Sequence, residues 1–296
     1  MNSLVYDAII VGAGPGGLQA AIYLGRFNRA VLILDRSGGR TWHAKRIENF
    51  LTHPFISGSD IIRRGIEQAK SFGSVFEKAT ATSITKRDTF EVRTADKSYL
   101  SRFVIASSGA YDNLPPIEGV HRFLGSGFYT CVDCDGYKTT GKKLVIIGNS
   151  LKTVHLAIAM KKMFTNDITL ILYFFQAPEE YREELSEEGI RLINGRPMKI
   201  KGSEKIEGVE LEDGSVVECE AIMSHFGYKL NDGYMEKLGL KRDSQGFKYI
   251  VGPAYESSLT GLYIVGPLNQ GNDQAIIAAG EGAVAAIDIN KRLLDL

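Results

Sequence analysis

Residues 5–17 read Val5-Tyr6-Asp7-Ala8-Ile9-Ile10-Val11-Gly12-Ala13-Gly14-Pro15-Gly16-Gly17, and this stretch decides the fold. Val5 to Val11 is short, apolar and rich in β-branched residues, the composition of a buried strand. It ends at Gly12, and a helical pattern follows from Gly17 to Gly25. A second apolar run, Ala30 to Leu34, ends at Asp35. Strand, glycine turn, helix and strand make a βαβ unit, a right-handed parallel crossover. Within the turn, Gly12, Gly14 and Gly17 hold the G-x-G-x-x-G spacing. The first glycine permits the tight turn, the second lets backbone approach a pyrophosphate, and the third lets helix pack on strand. The helix N-terminus offers N–H donors and the positive end of its dipole to the phosphates. Asp35, 23 residues after Gly12, stands where an acid can bond a ribose hydroxyl. The motif fits a dinucleotide and does not separate FAD from NAD.

The pattern occurs a second time, about 136 residues further on. Lys143 to Ile147 reads as a strand ending at Gly148, Leu151 to Met163 as a helix, and Ile168 to Tyr173 as the next strand. The turn is Gly148-Asn149-Ser150-Leu151-Lys152-Thr153, so only the first glycine remains. Ser150 would crowd a pyrophosphate, and β-branched Thr153 would push helix from strand. The strand ends in Tyr173-Phe174-Phe175, with neither an acid nor an Arg. This unit is expected to keep the fold of a nucleotide-binding domain without its binding chemistry.

Between the two units, Gly58 to Phe72 reads as an amphipathic helix and Thr80 to Thr94 as antiparallel strands. Phe103 to Ala106 is a buried strand running into Ser107-Ser108-Gly109-Ala110, and Pro115-Pro116 breaks the pattern. Val209 to Val217 is hairpin-like, turning at Asp213-Gly214. Leu262 to Val265 and a helix from Gln274 to Leu294 can return to complete the first domain. The expectation is an α/β protein of two Rossmann-like, three-layer ββα domains. Residues 1–116 and 248–296 form the first, and 117–247 form an inserted second one.

Composition removes several alternatives. Hydrophobic residues at 44% and charged residues at 24% argue against a disordered chain. Lys plus Arg and Asp plus Glu total 35 each, so no whole-protein charge draws the chain to nucleic acid or acidic membrane. No run of about 18 apolar residues is present, so a membrane span is not expected. The N-terminus lacks a charged region followed by an apolar stretch, and a cytoplasmic location is expected. Three cysteines are too few for a secreted disulfide framework.

Two of them stand in Cys131-Val132-Asp133-Cys134. Two intervening residues let the thiols close a small disulfide ring, and a helix start there would favour the thiolate. Zinc needs four ligands, and Cys219 with five scattered His makes only an improvised site, so no metal is expected. The bland alternative is a pair of buried structural thiols. Asp135 follows directly and could pass protons to a thiolate or flavin, or be an exposed turn acid before Gly136. Trp42 could cover a flavin edge, and Lys45 and Arg46 could dock an acidic electron-transfer protein. A core Trp and a solvated charged face are the alternatives there. Cys219 reads as a buried spectator.

The chain resembles the low-molecular-weight thioredoxin reductases over essentially its whole length. Gly12 to Gly17 resembles that family's FAD phosphate loop. Gly38-Gly39 through Ile47-Glu48-Asn49-Phe50 resembles its flavin-contacting segment, with Arg40 in place of a usual Gln and Asn49 kept. Ser107-Ser108-Gly109-Ala110 stands where the family has Ala-Thr-Gly, and Cys131 to Gly136 resembles its C-x-x-C-D-G active site. Gln274-Ala275 resembles the Gln-Ala that contacts the flavin ring. The resemblance implies FAD held by Gly12, Gly14, Pro15, Gly17, Asp35, Gly39, Arg40, Asn49, Ala79, Gly109, Gly266, Gln274 and Ala275. It also implies a homodimer, and exchange with a thioredoxin-like partner through Cys131 and Cys134, with Cys134 nearer the flavin and Asp135 as acid/base.

Three departures qualify that picture. The inserted domain has lost its glycines. The His-Arg-Arg that grips the NADPH 2′-phosphate is replaced by Tyr173-Phe174-Phe175. Gly266-Pro267 stands where the family has Gly-Asp, removing a carboxylate expected on the FAD ribityl chain. The first two losses strike NADPH as donor. They resemble the NADPH-independent branch, whose donors are ferredoxin or a second flavin in the vacated nucleotide region. Tyr173, Phe174 and Phe175 could suit such a stacked aromatic ligand.

Overall fold

The computed structural model describes residues 4–295. The chain ends included in the expected first domain, 1–3 and 296, lie outside the described residues. Two compact units form among the described residues: 4–111 with 229–295, and 112–228. The expected changes at 116/117 and 247/248 therefore fall at 111/112 and 228/229. The second shift has a packing cause. Tyr234 and Met235 are buried, with Leu238 and Leu240 against them, in a core shared with Val92, Val104 and Leu262 of the first unit.

In the first unit, Val5–Val11 runs parallel to Val31–Asp35 on one side and to Ser98–Ala106 on the other. Val75–Lys78 extends the parallel set beyond Val31–Asp35, and Leu262–Ile264 pairs parallel with Ser98–Ala106. Ser83–Lys86 and Phe90–Arg93 are antiparallel, leading into Ser98–Ala106. Alternate residues of the central strand feed cores on opposite faces: Ala8 and Ile10 on one, Ile9 and Val11 on the other. Burying each such Ile is worth about 1.5–3 kcal/mol.

Helices Pro15–Arg26, Gly58–Ser71 and Ala275–Leu294 cover the first face. The first and last pack very closely, because a Cβ at Gly282 would overlap the Gly16 carbonyl. Ser57 caps Gly58–Ser71 through its hydroxyl, which accepts from Asp60 N–H at 3.1 Å.

The second unit repeats the plan. Its parallel sheet has the order Arg191–Asn194, Ile168–Leu172, Leu144–Gly148, Ala221–His225, Phe128–Tyr129. Helix Leu151–Met163 packs on one face, with Val154 and Ala157 buried there. A separate three-stranded antiparallel sheet, Pro197–Lys201, Gly208–Leu211 and Val216–Glu218, carries Ile200, Val209 and Val217 into the core on the other. The hairpin turns at Gly214, whose φ of +83° suits glycine. Among the described residues, no helix is long and apolar enough to cross a membrane.

Candidate functional site

The first site lies at the C-terminal edge of the first unit's parallel strands, the usual ligand position of an open α/β sheet. Gly12, Gly14, Pro15, Asp35, Gly39, Arg40, Gly109, Gly266, Gln274 and Ala275 line one solvent-open cleft. These are ten of the residues expected to hold a dinucleotide, drawn from both ends of the chain.

The geometry of the loop follows from its glycines. Gly12 has φ +107°, and a Cβ there would overlap the Ser107 backbone. Gly17 lies beneath the loop and not in the cleft: a Cβ would overlap the Gly12 carbonyl and the Ser107 hydroxyl. Gly14 is different. A Cβ there meets nothing nearer than Ser107 O at 3.7 Å, so the space it leaves faces the cleft. Helix Pro15–Arg26 starts at once, with proline at its first position, where no N–H bond is lost. The residues present therefore fit an FAD pyrophosphate against Gly14 and the helix start.

Asp35 shapes the loop as well as facing the cleft. Its Oδ2 accepts from Ala13 N–H at 2.8 Å and its Oδ1 from Ser37 N–H at 2.6 Å. Asn49 donates through Nδ2 to Gln274 Oε1 at 3.0 Å, joining two expected cofactor residues far apart in sequence. Asn49 and Gly17 do not line the cleft themselves, and neither does Ala79, whose N–H instead donates to the Asp35 carbonyl at 3.0 Å. Trp42 lines the cleft and is 41% exposed.

Several residues at this site escaped the sequence reading. Asp273 lines the cleft; Lys248 Nζ donates to its Oδ1 at 2.7 Å, and Arg40 lies 3.9 Å from its Oδ2. Glu281 is 3% exposed, and its Oε2 accepts from Gly266 N–H at 2.5 Å and Asn269 Nδ2 at 2.9 Å. Burial pushes the Glu281 carboxyl up, partly opposed by those two hydrogen bonds. Ser108, in the segment already quoted, lines the cleft, and what the sequence hid is its partner: its hydroxyl lies 2.9 Å from that of buried Tyr234. The Glu281 signal was available. Residues 278, 281, 285 and 289 share one helix face, and the other three are Ala, Ala and Ile.

The second site belongs to the other unit. Cys131 and Cys134 form a disulfide, with Cα atoms 5.3 Å apart. Cys131 caps the turn Val132–Asp135, its sulfur accepting from Cys134 N–H at 3.2 Å. Asp135 accepts from Lys138 Nζ at 2.7 Å. Cys219 is buried elsewhere in this unit, and desolvation pushes its thiol up to about 12, so it stays a spectator. Among the described residues, no group of three or more His, Cys, Asp or Glu converges to hold a metal ion.

At the C-terminal edge of this unit's sheet, Thr153 is fully buried at the start of helix Leu151–Met163. It was expected to push helix from strand. Instead Gly148 leaves room for it, since a Cβ at 148 would overlap the Thr153 side chain. Thr153 Oγ1 donates to the His225 carbonyl at 3.4 Å. His225 Nδ1 is buried without a hydrogen-bond partner, and desolvation lowers the pKa of that imidazole. Phe174 is 86% exposed at φ +54°, a conformation rare for an aromatic residue, and its ring lies 4.2 Å from that of Tyr173.

A dinucleotide cleft on one Rossmann-like unit and a redox disulfide on a second define a two-domain disulfide oxidoreductase. The chain belongs to the pyridine nucleotide-disulphide oxidoreductase family, whose profile matches residues 6–282. It is a flavoprotein disulfide oxidoreductase. It is similar to the thioredoxin reductase of Aquifex aeolicus, 29% identical over 98% of this chain and 94% of the other. It is also similar to that of Bacillus subtilis, 24% identical over 99% and 96%. The fold matches the crystal structure of thioredoxin reductase from Streptococcus pyogenes, with a TM-score of 0.89, 24% identity and 99% of both chains covered.

Proposed function

We propose that this chain is a thioredoxin reductase-type enzyme of the NADPH-independent kind. It takes electrons from a ferredoxin-like protein or a second bound flavin and passes them to the Cys131–Cys134 disulfide. The reduced pair then reduces a thioredoxin-like partner. Bound FAD would supply two-electron storage between donor and disulfide.

The chain's own residues have separate tasks in this reading. Gly12, Gly14 and the start of helix Pro15–Arg26 receive the pyrophosphate, and Asp35 receives the ribose. Arg40, Asn49, Gln274 and Ala275 position the ring end. Cys131 attacks the partner's disulfide, Cys134 resolves the mixed disulfide, and Asp135 carries the proton.

The observation that carries the donor assignment is the edge of the second unit's sheet. Ser150 and Thr153 stand where a pyrophosphate-binding loop has glycines, and Tyr173-Phe174-Phe175 stand where a 2′-phosphate would need cations. Exposed Phe174, its ring tilted 33° against that of partly buried Tyr173, supports a flat aromatic ligand there. A homodimer is part of the same reading. Ile276, Ile277, Val284, Ile287 and Leu294 form an exposed apolar stripe along helix Ala275–Leu294, which a second copy would cover.

The test is anaerobic addition of NADPH to the purified yellow protein. The flavin absorbance should stay unchanged, while reduced ferredoxin or a second flavin per chain should be found. Rapid bleaching by NADPH would make the protein a conventional reductase and overturn the donor assignment.

A further inference from the structure

Asp135 does not act as a solitary acid. The turn Val132–Asp135 runs directly into the 3₁₀ turn Gly136–Thr139, and the i,i+3 spacing sets Lys138 over it. The two side chains are 21% and 17% exposed and pair at 2.7 Å. The rings of Tyr129 and Tyr137 flank the ammonium at 5.9 and 5.7 Å. The turn that holds it is rigid. A Cβ at Gly136 would lie 2.7 Å from the Phe164 ring, and fully buried Thr139 donates to the Gly136 carbonyl at 2.7 Å. Titratable groups nearby include Asp133 on the same turn, the two tyrosine phenols, and Asp112, which accepts from Thr130 Oγ1 at 3.5 Å.

We infer that Lys138 is a positioning residue for the dithiol exchange and acts through Asp135. The inference rests on the proposed exchange between Cys131, Cys134 and a partner disulfide. A bare carboxylate beside the thiols would disfavour the thiolate, which is the attacking species. The ammonium turns that charge into a half-buried dipole and fixes the carboxylate where it can relay a proton.

The exchange balances as follows. Cys131 thiolate attacks one sulfur of the partner; the partner's S–S bond breaks and a mixed disulfide forms. The released partner thiolate takes the Cys134 proton through Asp135. Cys134 thiolate then attacks the Cys131 sulfur, restoring the internal disulfide. The second partner thiolate leaves and takes a proton from solvent. One electron pair passes from the dithiol to the partner.

The experiment uses the flavin-loaded protein, reduced with dithiothreitol, freed of it anaerobically and alkylated with iodoacetamide across pH. Mass spectrometry reads the peptides of Cys131 and Cys134. Lys138→Met and Lys138→Gln should move the alkylation midpoint up by about one pH unit, roughly ten-fold slower reaction at neutral pH. Lys138→Arg should restore it. On an Asp135→Asn background, Lys138→Met should move nothing further. Unmoved midpoints in both uncharged variants, each with native circular dichroism and flavin content, would overturn the inference. An equal shift on the Asp135→Asn background would overturn the action through Asp135. Alkylation needs no partner protein, so a wild type with the expected Lys138 dependence that exchanges with no thioredoxin refutes the proposed function and leaves the pair standing.

Discussion

Substituting Gly14 and Gly17 separately divides what the glycine loop does for the ligand from what it does for the fold. Gly14 has φ −72° and ψ 176°, ordinary extended backbone, and a new Cβ meets only Ser107 O at 3.7 Å. Alanine is a poorer helix cap than glycine by about 1 kcal/mol. It also restricts the unfolded chain, which returns about 0.4–1 kcal/mol. The two effects nearly cancel, so apoprotein Gly14→Ala should melt within about 4 °C of wild type. Its methyl group would stand where the pyrophosphate must approach. Forcing an extra methyl into a filled contact costs about 1–3 kcal/mol, roughly five- to 150-fold in FAD Kd. Gly17→Ala reverses the pattern. Its Cβ overlaps the Gly12 carbonyl and the Ser107 hydroxyl and lies 3.0 Å from Ile10 Cγ2, so helix and strand must separate. A cost of about 1–3 kcal/mol lowers the apoprotein Tm by roughly 2–12 °C. Circular dichroism melts of the apoproteins and FAD titrations followed by flavin fluorescence read the two effects independently. Gly14→Ala with undiminished FAD affinity would refute the placement of the pyrophosphate, and Gly17→Ala with an unchanged Tm would refute the packing argument.

Cys134→Ser should retain bound FAD yet lose thioredoxin reduction; turnover persisting in that variant would remove the disulfide from the electron path. Burial raises the Glu281 pKa above the usual 4.5, so its contribution to stability is fully present below that value and is lost as pH rises through the raised one. Glu281→Gln should therefore gain Tm over wild type as pH rises above the usual 4.5 and hold that gain once the raised value is passed, and a pH-independent difference in melting curves would contradict this. Phe174→Gly should relieve a left-handed strain of about 1–2 kcal/mol, raising Tm, while lowering the flavin count per chain if a second flavin stacks there. Absorbance against protein mass measures that count, and an unchanged count of two would place the second flavin elsewhere.

The elements of this fold were legible because each carried its own local signature. Val5 to Val11 ends at a glycine, Leu151 to Met163 carries a buried stripe, and both form where the pattern puts them. The second domain boundary was not legible. Residues 233–240 carry the apolar side chains of Tyr234, Met235, Leu238 and Leu240, and nothing local states which core these enter. The cofactor cleft was legible wherever a motif fixed both residue type and spacing, as from Gly12 to Asp35. It was opaque where a role depends on a contact between distant segments. Asp273 faces Lys248, Tyr234 meets Ser108, and Glu281 reaches back to Gly266. Each of those pairs exists only once the chain has folded.

The two glycine turns build the same strand–helix crossing in two different ways. At the third position of the first turn, glycine is required because the Gly12 carbonyl and Ser107 hydroxyl occupy the space a Cβ would need. Ser107 comes from the neighbouring strand and donates to Gly12 O at 2.6 Å, tying strand end to loop. In the second turn the tie runs the other way. Thr153 comes from the helix and donates to His225 O on the neighbouring strand, and it is the first-position glycine, Gly148, that makes room. Both arrangements satisfy the crossing between strand, helix and neighbour, so both units fold. Only the first leaves an open, glycine-walled path from the cleft to the helix start. The second fills its contact with a β-branched side chain and puts Ser150 where the backbone should be bare. The difference lies at the sheet edge: bare glycine backbone facing a cleft in the first unit, Ser150 and exposed Phe174 beside partly buried Tyr173 in the second, and the proposed change of electron donor rests on it.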